Sequence, residues 1–193
     1  MISKLSAKLT EKLLLKQSIT EDERELYVYG FFIFLSHLLY LVLTSIFGLL
    51  LGCFFESIIF YITFQFIRRN AGGYHASTEI RCEIISTLSI FASIVLIRLS
   101  NIYSFETVLL FITLVSSIVI FALCPLDTPE KPLLEKEFKY FQKRSRLTLF
   151  VLYSIVTVSY FLKLDLFFAP CCISLIFESI LLILGKLKKT KKE

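Results

Sequence analysis

Apolar and polar residues along this chain sort into long blocks rather than the short alternations of strands. From Phe31 to Leu51, 21 consecutive residues carry no formal charge at neutral pH, enough for a helix to cross the ~30 Å hydrocarbon layer of a bilayer. Five further apolar blocks follow: Phe54–Ile67, Ile84–Leu99, Thr107–Leu123, Leu147–Leu162 and Leu166–Leu184. Phe54–Ile67 is the shortest, with Glu56 and Gln65 near its ends, and is the block that could re-enter rather than cross. Ahead of them, Ile2, Leu5, Leu9 and Leu13 recur at helical spacing, and Lys4, Lys8, Lys12 and Lys16 form a second stripe. That pattern predicts a basic amphipathic helix lying in the membrane interface, with its lysines toward anionic headgroups. Thr20-Glu21-Asp22-Glu23 has the spacing of a capping box, so a second helix is expected to begin near Glu21. No cleaved signal peptide is expected, because charges recur through residue 25 before a long apolar stretch begins.

The expectation is an all-α, polytopic membrane bundle of about six transmembrane helices. A transmembrane barrel would need alternating strands of about ten residues instead. The chain reads as one domain, 1–193, comprising N-terminal amphipathic and capped helices (1–29), a six-span bundle (31–184) and a basic cytoplasmic tail (185–193).

Composition agrees. The 193 residues are 56% hydrophobic and 19% charged, with a mean hydropathy of +0.75, against about 45–50% apolar and about 25% charged in a soluble domain. Disorder and low-complexity classes are excluded by the same apolar mass. Five scattered cysteines, an odd number without a Cys-x-x-Cys pair, argue against a disulfide scaffold or a zinc ribbon; no metal or cofactor and no nucleic-acid partner is expected. If six blocks cross, 19 of the 21 Lys and Arg residues fall on one side and only Arg98 and Lys163 on the other. The positive-inside rule then places both termini and both long connecting segments in the cytoplasm. With five crossings that bias would be lost.

Candidate chemistry lies in the polar break Arg68-Arg69-Asn70-Ala71-Gly72-Gly73-Tyr74-His75-Ala76-Ser77-Thr78-Glu79-Ile80-Arg81-Cys82-Glu83. An imidazole that accepts a thiol proton makes a nucleophilic thiolate. His75 and Cys82 are seven residues apart, about 10 Å along a straight helix, too far to share a hydrogen bond. Gly72-Gly73 permits a sharp turn, and Ser77 or Thr78 ahead of Glu79 can cap a new helix near Thr78. Cys82 would then sit in the first turns of that helix, where the dipole favours an anion, with His75 folding back from the loop. On residue types alone, a basic turn with a solvated His75 and an inert Cys82 remains the simpler reading.

Arg68 to His75 together with Cys82 resembles the signature of the accessory gene regulator B (AgrB) family, membrane cysteine endopeptidases of Gram-positive quorum sensing. Pro125-Leu126-Asp127-Thr128-Pro129-Glu130-Lys131-Pro132 is similar to the family's cytoplasmic motif after the fourth span, with Glu130 where an Asn is expected. The resemblance spans essentially the whole chain. It implies a protease of the bacterial cell membrane that trims the acidic C-terminal tail of a small AgrD-like precursor with an amphipathic N-terminus and leaves a cyclic product. Cys82 would be the nucleophile and His75 the base, passing through an enzyme thioester that an internal Cys or Ser of the peptide resolves into a thiolactone or lactone. It also implies a homodimer. Arg68 and Gly73 match motif positions, Arg68 as an anchor for a carboxylate and Gly73 as room for the backbone beside His75. Asp127 and Lys131 stand in the second motif, and Asp127, Glu79 and Glu83 are all candidates to orient His75. The segment from Cys124 to Arg146 is net basic, and its end, Lys139 to Arg146, could hold an acidic peptide tail.

Two rival readings attach to other residues. Glu178 and His37 are ionisable groups within apolar blocks, where such groups are costly and often functional, and they would serve a small peptide transporter or export channel. A non-catalytic scaffold that holds the precursor would keep the basic segments and dispense with Cys82.

Overall fold

The computed structural model describes residues 2–74, 78–103, 105–127 and 134–190. Among them the fold is all helical, with seven α-helices and a single isolated β-pairing of Gly72 with Leu126. The chain divides into two compact units, Met1–Leu43 and Thr44–Glu193.

The first unit holds α1 (Ile2–Leu15), a 3₁₀ turn at Glu21–Glu23 and the first part of α2 (Arg24–Leu50). The expected cap is formed: the Glu23 carboxylate accepts from the Thr20 backbone N–H and from its hydroxyl, each at 3.0 Å. The side of α1 buried against protein is Ile2, Ser6 and Thr10. Small residues let a helix approach a neighbour closely, and the hydroxyls of Ser6 and Thr10 are satisfied by the Ser3 and Ser6 carbonyls. Leu5 and Leu15 are left exposed, as are Lys4, Lys8, Lys12 and Lys16.

The second unit contains the end of α2, then α3 (Phe54–Ala71), α4 (Glu79–Tyr103), α5 (Glu106–Leu123), α6 (Glu135–Leu162) and α7 (Asp165–Thr190). Helix α7 is the hub, packing against α3, α4, α5 and α6. Of its most apolar stretch 67% is buried, against at most 28% for the other long apolar helices. Around it hydroxyl side chains share the interior with large apolar ones such as Phe60, Ile94 and Leu175. Ser57, Ser93, Thr113, Ser117, Ser145 and Ser174 are buried, each donating its hydroxyl to a carbonyl three or four residues back, while Phe55, Phe66, Phe111, Phe150 and Phe161 are exposed. Satisfied hydroxyls within the packed interior and large apolar residues left on the outside suit a bundle whose solvent is lipid.

Among the described residues five helices are long and apolar enough to cross a membrane: Glu21–Leu50, Ile80–Tyr103, Glu106–Leu123, Glu135–Leu162 and Asp165–Thr190. The chain is a multi-pass membrane protein. Helix α3 is not one of the five; it carries Glu56 in its first turn and Arg68 and Arg69 in its last, and its 18 residues extend about 27 Å. Two boundaries differ from expectation. The basic stretch Lys139–Arg146, read as the end of a loop, is helical, because α6 begins at Glu135, with the Glu137 carboxylate accepting from Leu134 N–H at 3.0 Å and Lys139 bridging Glu135 at 3.0 Å. The segment read as a tail from residue 185 is helical through Thr190.

Candidate functional site

The site begins where α3 ends. Gly72 and Gly73 take φ values of +80° and +129°, conformations that glycine alone adopts without strain. They turn the chain away from the α3 axis, and three neighbours hold the turned backbone. From α3 itself, the Arg68 guanidinium donates to the carbonyls of Gly72 and Tyr74, each at 2.6 Å. After α5, Leu126 N–H donates to the Ala71 carbonyl at 2.9 Å, and Leu126 pairs with Gly72. From α7, the Leu181 carbonyl accepts Tyr74 N–H at 3.0 Å. Gly185, one turn further along α7, makes room: a Cβ there would lie 3.0 Å from Gly73 C and from Tyr74 N. The two sequence motifs therefore meet, and the end of α7 meets both of them. Lys189 Nζ lies 3.8 Å from Asp127 Oδ2, and Lys188 Nζ is 5.5 Å from the centre of the Tyr74 ring.

Cys82 stands at the start of α4. Thr78 caps that helix, its Oγ1 accepting Arg81 N–H at 3.4 Å and its carbonyl accepting Cys82 N–H at 3.0 Å. This is the predicted placement of the thiol in the first turns of a new helix, and Cys82 is half-buried. Three residues, 75–77, separate Tyr74 from Thr78, so the two ends of the described backbone are at most about 14 Å apart. His75 and Lys131 lie outside the described residues, as does the side chain of Glu79; Glu83 is half-buried on α4.

The other cysteines occupy different surroundings. Cys53, Cys124, Cys171 and Cys172 are buried. Cys124, directly after α5, is 3% exposed, and burial pushes its thiol above the ordinary value, offset in part by a hydrogen bond with the Ser145 hydroxyl. A thiol in such a place is a poor nucleophile.

Arg68 does more than its motif position suggested. Its fork is taken up by two backbone carbonyls, and the carboxylate beside it is Glu178 of α7, with Oε2 at 3.8 Å from Nη1. Gly73 is required for that arrangement, since a Cβ at this position would overlap Arg68 Nη1. The sequence reading missed Gly185 and the pairing of Glu178 with Arg68. The legible signal was charge balance: a lone acid within one apolar block and an arginine at the polar end of another are natural partners. His37 is on an exposed position of α2, in the first unit.

Among known proteins, the sequence profile of the family described as accessory gene regulator B matches residues 3–182. A protein of Clostridium perfringens (strain SM101 / Type A) is 24% identical over 164 residues, covering 82% of this chain and 76% of its own. A second, from Clostridium perfringens (strain 13 / Type A), is 25% identical over the same lengths. Both bear names that claim no more than likeness to AgrB. No solved structure gives a significant match. A match over nearly the whole length, containing both motifs and the helices that bring them together, assigns a role in accessory gene regulator quorum sensing, and the chain belongs to the accessory gene regulator B family.

Proposed function

We propose that this protein is a membrane cysteine endopeptidase that removes the acidic C-terminal tail of a small precursor peptide and closes the remainder into a ring. The observation that carries the reading is the placement of Cys82, half-buried in the capped first turn of α4, a short stretch of chain after a backbone turn held by α3, by the segment after α5 and by α7, and leading directly into His75.

In this mechanism His75 accepts the Cys82 proton and the thiolate attacks the carbonyl at the scissile bond. The tail amine departs with the proton returned from His75, leaving an acyl thioester on Cys82. An internal Cys thiol or Ser hydroxyl of the bound peptide then attacks that thioester, passing its proton to His75. Cys82 is released and a thiolactone or lactone ring closes. Exchange of one thioester for another is near balance and needs no ATP.

Recognition of an acidic tail falls to the first turns of α6. There Lys136, Lys143 and Arg144 are exposed, Arg144 with its guanidinium 5.0 Å from the centre of the Tyr140 ring, while Lys139 is engaged by Glu135 and Arg146 stacks over Phe121 at 4.2 Å. The partner is an AgrD-like precursor whose amphipathic N-terminus shares the interface with α1 and anionic lipid. The protein works as a homodimer in the bacterial cell membrane, with six spans, α3 included, and with both termini and the catalytic segment in the cytoplasm. The meeting of the ends of α3, α5 and α7 at one end of the second unit supports that alternation.

The test is tail release from a candidate precursor in proteoliposomes, read by mass spectrometry. Wild-type protein should release the tail, and Cys82→Ala and His75→Ala should not. Release by Cys82→Ala at the wild-type rate would refute the mechanism.

A further inference from the structure

Glu178 is fully buried, and neither of its carboxylate oxygens has a hydrogen-bond partner among the described residues. An acid so placed in a membrane bundle is costly unless a charge faces it, and the charge that faces it is Arg68, at 3.8 Å. Arg68 in turn holds the carbonyls on either side of Gly73. The Tyr74 carbonyl belongs to the planar peptide unit that joins Tyr74 to His75, and Tyr74 N–H is held by the Leu181 carbonyl. The backbone is thus fixed on both sides of Tyr74, immediately before the proposed base. Glu178, Leu181 and Gly185 follow one another at i, i+3 and i+7, a single stripe of α7. The acid, the carbonyl and the missing side chain therefore act on the same loop.

We propose that Glu178 is a positioning residue of this site, acting through Arg68 to hold the Gly72–Tyr74 backbone in the conformation that delivers His75 to Cys82. The inference rests on the reading of His75 and Cys82 given above. Without the carboxylate, Arg68 loses its counter-charge at the buried end of its fork, and nothing on α7 keeps the guanidinium aligned on the two carbonyls. A proton carrier in a transport path would instead need Glu178 itself to meet the cargo. In this account it needs only to face Arg68.

The test uses full-length protein in liposomes and follows alkylation of Cys82 by iodoacetamide, resolved by peptide mass spectrometry, as a pH–rate profile. Wild type should react about tenfold faster than His75→Ala at pH 7. Glu178→Gln should move the whole profile onto that of His75→Ala, and His75→Ala added to it should change nothing more. Arg68→Gln with Glu178→Gln should match Arg68→Gln alone, since the acid acts only through the arginine. If Glu178→Gln fails to fold, Glu178→Asp, which keeps the charge but withdraws it from Arg68 by one methylene, carries the test in its place: its profile should move toward that of His75→Ala, and a wild-type profile would overturn the role. A wild-type profile in Glu178→Gln, or losses in the double variant that multiply, would overturn the positioning role and leave the catalytic pair standing. Equal alkylation of wild type and His75→Ala would instead bring down the pair, and the positioning role with it.

Discussion

Replacing Gly73 by alanine tests whether the turn at the end of α3 is part of the machinery. At φ +129°, an alanine is strained by about 1–3 kcal/mol, and its Cβ would overlap Arg68 Nη1. Relief requires the guanidinium to leave at least one of its two carbonyls, and hydrogen bonds to a charged group contribute about 1.5–3 kcal/mol each. Together these raise the native loop by about 3–5 kcal/mol relative to rearranged ones, so the productive population falls about a hundred- to a few thousand-fold. Gly52, in the turn between α2 and α3, is the control. Its φ is +68° and an added Cβ meets nothing within 4 Å, which leaves a conformational cost of about 1–2 kcal/mol and no disturbed neighbour. The assay is the initial rate of precursor cleavage in proteoliposomes, with thermal unfolding in detergent to confirm that each variant is folded. Gly73→Ala should lose at least about a hundredfold in rate while remaining folded, and Gly52→Ala should lose some stability and little rate. Cleavage by Gly73→Ala within threefold of wild type would refute the reasoning.

Three further outcomes follow from the same geometry. Lys143→Gln with Arg144→Gln should raise KM for a precursor with an acidic tail and leave kcat nearly unchanged, the effect shrinking as salt screens the attraction; an unchanged KM at low ionic strength would remove α6 from recognition. A thiol pushed above its ordinary value holds less thiolate at a given pH, so at pH 8 iodoacetamide should label Cys82 well before Cys124; labelling in the reverse order would contradict the burial argument. Gly185→Leu should displace the Tyr74 backbone and suppress cleavage, because the atoms that a Cβ approaches there include loop backbone as well as the movable Leu126 side chain; full activity in this variant would show that the loop does not depend on α7.

Membrane helices were legible wherever apolar residues ran unbroken, since in lipid a continuous apolar segment must satisfy its backbone internally. Thus Thr107–Leu123 was expected and α5 runs Glu106–Leu123. Helical structure beyond the apolar blocks was invisible to the same rule. Glu135–Arg146 is charged yet helical, held by the Glu137 cap and the Glu135–Lys139 pair, and both signals are local spacings rather than hydropathy. The capped start of α4 was legible because Thr78 followed by Glu79 is a helix start signal written in adjacent residues. The clamp on Gly72–Tyr74 was not, since its parts come from α3, the segment after α5, and α7, more than a hundred residues apart. Charge count could have paired Arg68 with Glu178, but nothing in one sequence places Gly185 against Gly73. Likewise nothing in hydropathy marks Ser6 and Thr10 as residues of α1 that are buried against protein.

The central claim is that Cys82 carries the peptide as a thioester, and intact-protein mass spectrometry of a single turnover measures this directly. With a precursor whose internal nucleophile is replaced by alanine, ring closure is blocked. Wild-type protein should then gain the mass of the tail-less peptide less one water, in a hydroxylamine-sensitive bond mapped to Cys82, and Cys82→Ala and His75→Ala should gain none. Tail release with no adduct on Cys82, or an adduct on another cysteine, would contradict the account.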